Sequence, residues 1–138
     1  MGLIRRRIEG EKDLEQWSDV EPIKYRALGG PLGYKNIVIG PDDGSENVAM
    51  RIFQIPKGKH SREEEHPHDH LVYVIEGSCQ VLLGAELHDL EAGDVVWVKP
   101  NEHHRFDNVG EGTLKFLCAI PAWGEQDSRK QIPAPKAE

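Results

Sequence analysis

The stretch KGKHSREEEHPHDHLVYVIEG, residues 57–77, sets the reading of the whole 138-residue chain. Its second half, Leu71–Ile75, is rich in Val, Ile and Tyr and ends at a turn-forming Gly77, which reads as a β-strand. Every residue of Leu71–Ile75 is apolar, so the strand is expected to be covered on both faces. Ahead of it His66, His68 and His70 alternate with Pro67 and Asp69. Alternate side chains of an extended segment share one face, so the three imidazoles lean together.

The same texture recurs outward in both directions. Val48–Ile55, Cys79–Leu83, Val95–Val98 and Leu114–Ile120 are short apolar runs separated by Gly40-Pro41-Asp42-Asp43-Gly44, Lys99-Pro100-Asn101 and similar turns. The chain is therefore expected to be all-β, a sandwich or closed barrel. One short helical turn is expected at Glu11–Trp17, acidic at its start.

Composition excludes several classes. The 24 acidic and 17 basic residues give a formal charge of −7, and the only basic run is Arg5-Arg6-Arg7, so no nucleic-acid partner is expected. No run approaches the length of a membrane span or signal-peptide core, which points to a cytoplasmic protein without a membrane partner. Cys79 and Cys118 stand 39 positions apart and read as buried reduced thiols.

Six of the seven histidines fall in two clusters, His60, His66, His68 and His70, then His103 and His104. Adjacent residues of a strand point to opposite faces, so only one of the second pair can look inward. Counting from His104 puts Phe106 and Asn108 on its side and Arg105 and Asp107 on the other, which makes His104 the interior member. Imidazoles and carboxylates converging from separate strands suit Mn, Fe, Ni, Cu or Zn. A solvated histidine-rich loop would explain one cluster but not two.

These residues resemble the cupin superfamily, specifically its small single-domain bacterial members. The first cupin motif, G-x5-H-x-H-x3-E-x6-G, is met in its intervals by Gly58, Glu64, His66, His70 and Gly77, with the first histidine and the glutamate exchanged. The second is met by Gly93, His104 and Asn108 in GDVVWVKPNEHHRFDN, where Lys99 and Asn101 replace its Pro and Gly. A histidine at the usual glutamate slot is similar to small cupins that hold manganese with four histidines, although Glu64 occupies their first histidine slot. The resemblance implies a double-stranded β-helix, or jelly-roll barrel. It also implies a metal set of Glu64, His66, His70 and His104, with His68 or His60 as substitute ligands. The metal is expected to be divalent, Mn or Fe first, with Zn or Ni as alternatives.

Four protein ligands leave about two positions open on a six-coordinate metal, as a catalytic site requires. Val72, Phe106 and Cys118 are expected to line a mostly apolar pocket, with His68 at its mouth as the one candidate acid or base. The first functional reading is a dioxygenase-like or peroxide-using oxidoreductase acting on a small organic molecule. The alternatives are a redox-neutral lyase or isomerase on a sugar acid or keto acid, and a non-enzymatic sensor of a small ligand or metal. The ligand is expected to be anionic or oxygen-rich. The resemblance further implies a homodimer, to which Leu3–Ile8 is a candidate added strand. The expected organisation is an N-terminal arm and first strand at 1–30, the barrel at 31–124 and a flexible C-terminal tail at 125–138.

Overall fold

A computed structural model describes residues 2–10 and 14–125. The strands are β1 (Arg7–Ile8), β2 (Gln16–Trp17), β3 (Ile23–Ala27), β4 (Gly30–Ile39), β5 (Val48–Ile55), β6 (His70–Glu76), β7 (Ser78–Leu83), β8 (Glu86–Glu91), β9 (Val95–Val98), β10 (His104–Asn108) and β11 (Leu114–Pro121). They form a jelly-roll barrel. A six-stranded sheet, in the order β3-β4-β5-β11-β6-β9, faces a three-stranded one, β10-β7-β8, while β1 and β2 pair on their own. No helix among the described residues is long and apolar enough to cross a membrane.

The core lies between the two sheets. Phe53 and Ile55 of β5, Val72 and Val74 of β6 and Phe116 of β11 meet Val81 of β7 and Phe106 of β10, all buried. Full burial of such a side chain contributes about 1.5–3 kcal/mol, enough in sum to close the barrel without a disulfide. Tyr25, Phe53, Phe116 and Phe106 form a continuous column of rings, each centroid 5.0 Å from the next. Both cysteines are buried free thiols, and burial pushes Cys79 up to about 12.

Several expectations need correction. Gln16–Trp17 is a strand paired with Arg7–Ile8, where a helical turn was expected; residues 11–13 lie outside the described residues. The N-terminal segment is held by its own chain. Arg5 Nε donates to the Val38 carbonyl at 3.0 Å, and the Gln54 side chain exchanges two hydrogen bonds with the Glu15 backbone. The expected boundary at 30/31 cuts the β3–β4 hairpin, which belongs to the large sheet. Gly33 permits this hairpin to lie flat on β5, because a Cβ there would sit 2.2 Å from the Gln54 carbonyl oxygen. Within one chain β6 is buried on one face: His70, Val72 and Val74 point inward, whereas Leu71, Tyr73 and Ile75 are exposed. Residue 125, expected in a flexible tail, is fully buried in a helical segment whose described residues are 122–125. Residues 126–138 lie outside the described residues.

Candidate metal centre

The segment leading into β6, bent at Pro67 and His68, brings His66, His68 and His70 together, and all three are buried while Glu65, Pro67 and Asp69 are exposed. β10 brings His104 to the same place, since Glu64 and His104 pair as backbone, N to O at 3.1 and 2.9 Å. The donor nitrogens of His66, His70 and His104 lie within 4.8 Å of one another, with His66 Nδ1 and His70 Nε2 only 2.9 Å apart. Burial drives His70 far below the usual histidine range and lowers His104 as well. His70 and His104 are therefore neutral, the form that ligates metals.

Glu64 is partly buried, its Oε2 3.4 Å from His66 Nε2, and it stands outside that three-nitrogen group. Burial alone would raise its carboxyl. The hydrogen bond and charge of His66, with Arg62 and His104 nearby, outweigh that and hold it below the ordinary carboxylate range. Three imidazoles converging at this distance, with an ionised carboxylate beside them, fit a divalent transition metal. His103 points outward to Glu63 at 2.6 Å, and His60 is tied to the backbone carbonyl of Ser61, away from the cluster.

His68 is buried, not at the mouth. Its ring stacks on His66 at 4.5 Å and meets Trp123 edge-on at 5.4 Å. The helical segment presses on it so closely that a Cβ on Gly124 would lie 2.8 Å from the imidazole.

Val72, Phe106 and Cys118 line the cavity that holds the histidines. Phe106 stacks on Phe116 and faces the edge of His104 at 6.4 Å. Cys118 Sγ is 3.0 Å from His70 Nδ1, the nitrogen that an outer partner holds when the other ring nitrogen is a ligand. The expected apolar lining is wrong in one respect: Lys35 and Arg51 also line this cavity, and both are buried. Arg51 stands opposite Cys118 in the β5–β11 register and donates to its sulfur at 3.2 Å.

Glu125 joins the two cations. Its Oε1 accepts from Arg51 at 3.1 Å and its Oε2 from Lys35 at 3.2 Å. Burial lowers the Lys35 ammonium, opposed by Glu125; for Arg51 the neighbouring Cys118 and Glu125 outweigh burial and hold the guanidinium charged. The sequence reading missed all three residues. Arg51 alone carried a signal: it shares strand parity with Phe53 and Ile55, so a charge sits on the core-facing side of an apolar strand.

The Cupin domain family matches residues 51–120. "Polyketide synthase CurC" of Streptomyces cyaneus is 27% identical over 117 residues, covering 80% of this chain and 73% of that protein. An uncharacterized protein of Methanocaldococcus jannaschii is 30% identical over 71 residues, 51% of this chain, which thus spans 53% of that relative's length. Among solved structures, a cupin 2 conserved barrel domain protein from Rhodopseudomonas palustris superposes with a TM-score of 0.70 at 27% identity, covering 87% of this chain and 81% of that one.

Proposed function

The chain belongs to the cupin family, and on that premise we propose that it is a metal-dependent enzyme acting on a small, anionic, oxygen-rich molecule. The observation that carries this reading is the buried three-histidine cluster sharing one cavity with the buried cations Lys35 and Arg51. Glu64, His66, His70 and His104 form the proposed ligand set, whose nitrogens and carboxylate suit Mn or Fe first and Zn or Ni next. When bound, the metal polarises a pair of substrate oxygens.

The reaction best supported is redox-neutral, of lyase or isomerase type, on a keto acid or a related carbonyl-rich compound. Lys35 and Arg51 are fixed charges in a water-poor site. They offset negative charge that develops on oxygen when a bond beside a carbonyl breaks, and such preorganised charge is usually the largest catalytic contribution. Similarity to a polyketide synthase protein supports a carbonyl-rich substrate. His68, packed between the cluster and Trp123, is the proposed group that takes or gives a proton. The stacked Phe106 and Phe116 exclude water from one side.

A dioxygenase-like or peroxide-using oxidoreductase is the second reading, supported by Glu64: a carboxylate beside the cluster lowers the local charge and favours higher oxidation states of a bound metal. The protein is proposed to work in the cytoplasm as a homodimer, with exposed Leu71, Tyr73 and Trp97 on the outer face of the large sheet as the surface that supports pairing.

Two expected results test the site and the reaction. Glu64→Gln weakens divalent-metal binding by about tenfold or more in a chelator competition, whereas Glu65→Gln leaves it unchanged; equal effects would show that the ligand register is wrong. The Mn and Fe forms turn over a member of a keto-acid and sugar-acid panel without oxygen, and His68→Gln lowers the rate about 100-fold with metal content intact. Oxygen uptake in step with product selects the oxidoreductase. Ligand-dependent stabilisation with no turnover in either atmosphere leaves only a sensor.

A further inference from the structure

We propose that Lys35 and Arg51 form a subsite for the carboxylate of a small organic acid, on the wall of the histidine cavity. The inference deepens the function proposed above by naming the group recognised, and it rests on that reading for the acid's approach to the cluster.

Arg51 is 3% exposed and Lys35 7%, yet both line the cavity. A guanidinium carries five N–H donors in a rigid fork. Here Nη1 donates to Glu125 Oε1 and Nη2 to Cys118 Sγ, while the buried Nε has no hydrogen-bond acceptor among the described residues. Native proteins seldom leave a buried donor of a charged group without a partner, so this one points to a ligand. Among the described residues the charge count agrees, because two buried cations share the carboxylate of Glu125 and one positive charge remains over. Glu125 also shows what the pair accepts: one carboxylate bridges them, with one oxygen on each cation. A second carboxylate, reaching Arg51 Nε and Lys35 Nζ from the cavity side, would repeat that arrangement. Arg62 and Glu64, the other charged groups lining the cavity, oppose one another and leave the balance unchanged.

The test is calorimetric titration with formate, pyruvate and malonate, with methyl pyruvate and inorganic phosphate as comparators. Metal-free and Mn(II)-loaded wild-type protein are both used. Pyruvate or malonate is expected to bind both forms, methyl pyruvate neither. Arg51→Lys keeps a cation for Glu125 but lacks the Nε donor, and is expected to weaken binding about tenfold; Lys35→Met is expected to do the same. The proposal is overturned if none of the three acids binds wild type, if both variants bind as wild type does, or if phosphate binds in preference. Arginine-dependent binding to metal-free protein that shows no turnover would refute the enzymatic reading alone and leave the subsite standing.

Discussion

Replacing His66 and His104 together by alanine is expected to abolish metal binding. Wild-type protein purified from metal-supplemented medium should carry about one divalent transition metal per chain, and the double variant none. The two residues arrive from different parts of the barrel, His66 from the segment before β6 and His104 from β10, so their loss leaves His70 as the one member of the three-nitrogen group. One neutral imidazole and the Glu64 carboxylate, all that is left of the proposed ligand set, hold a dication too weakly to survive dialysis. Elemental analysis of both proteins is the measurement, and full occupancy in the double variant would remove the proposed centre altogether. Circular dichroism of the variant separates metal loss from unfolding, since of the aromatic column only Phe106, at its end, meets either histidine, edge-on to His104.

Glu125→Ala should be the most damaging single change to stability outside the hydrophobic core. It leaves Lys35 and Arg51 buried and unopposed, and breaking one side of a buried ion pair costs about 3–5 kcal/mol. Urea unfolding should therefore show a large fall in midpoint, with Glu125→Gln intermediate because it keeps the shape and part of the hydrogen bonding. The pH dependence has a definite sign. The Lys35 pKa is lowered in the folded protein, so the unfolded chain binds that proton more readily and stability rises with pH towards the ordinary lysine value. Removing Glu125 lowers the Lys35 pKa further, so the deficit should shrink on the alkaline side. A variant within 1 kcal/mol of wild type at neutral pH would show that the ion cluster adds little to stability.

Parity along the strands made much of this legible in advance. Val48–Ile55 and Val95–Val98 coincide with β5 and β9, and the alternation of His66, His68 and His70 together with the inward choice of His104 describes the buried cluster. What escaped, apart from the inward parity of Arg51, had no such pattern. β8, ELHDLE, is an edge strand polar and largely exposed on both faces, formed because β7 offers it a ladder and not because of its own side chains. β4 carries Pro31 and two glycines, which read as a break but sit in a hairpin with a register shift. Lys35, Arg51 and Glu125 are common surface residue types, and Glu125 lies 90 and 74 positions from its partners; only the folded chain brings them together. The mouth position expected for His68 failed because nothing in its own segment announces the helical turn that covers it.

β11 is the last in sequence of the described strands, yet it lies within the large sheet, between β5 and β6. Pairing Val48 with Pro121 closes a loop of most of the barrel's length, and until it closes β5 and β6 have no neighbour in common. The large sheet is therefore complete only once β11 has been added between them. Such non-local closure is slow, on the order of milliseconds to seconds. Since Cys118 and the segment bearing Glu125 travel with β11, the partners of His70 and Arg51 are put in place only in the closing step, and ligand-binding competence should appear together with the completed sheet, not before it.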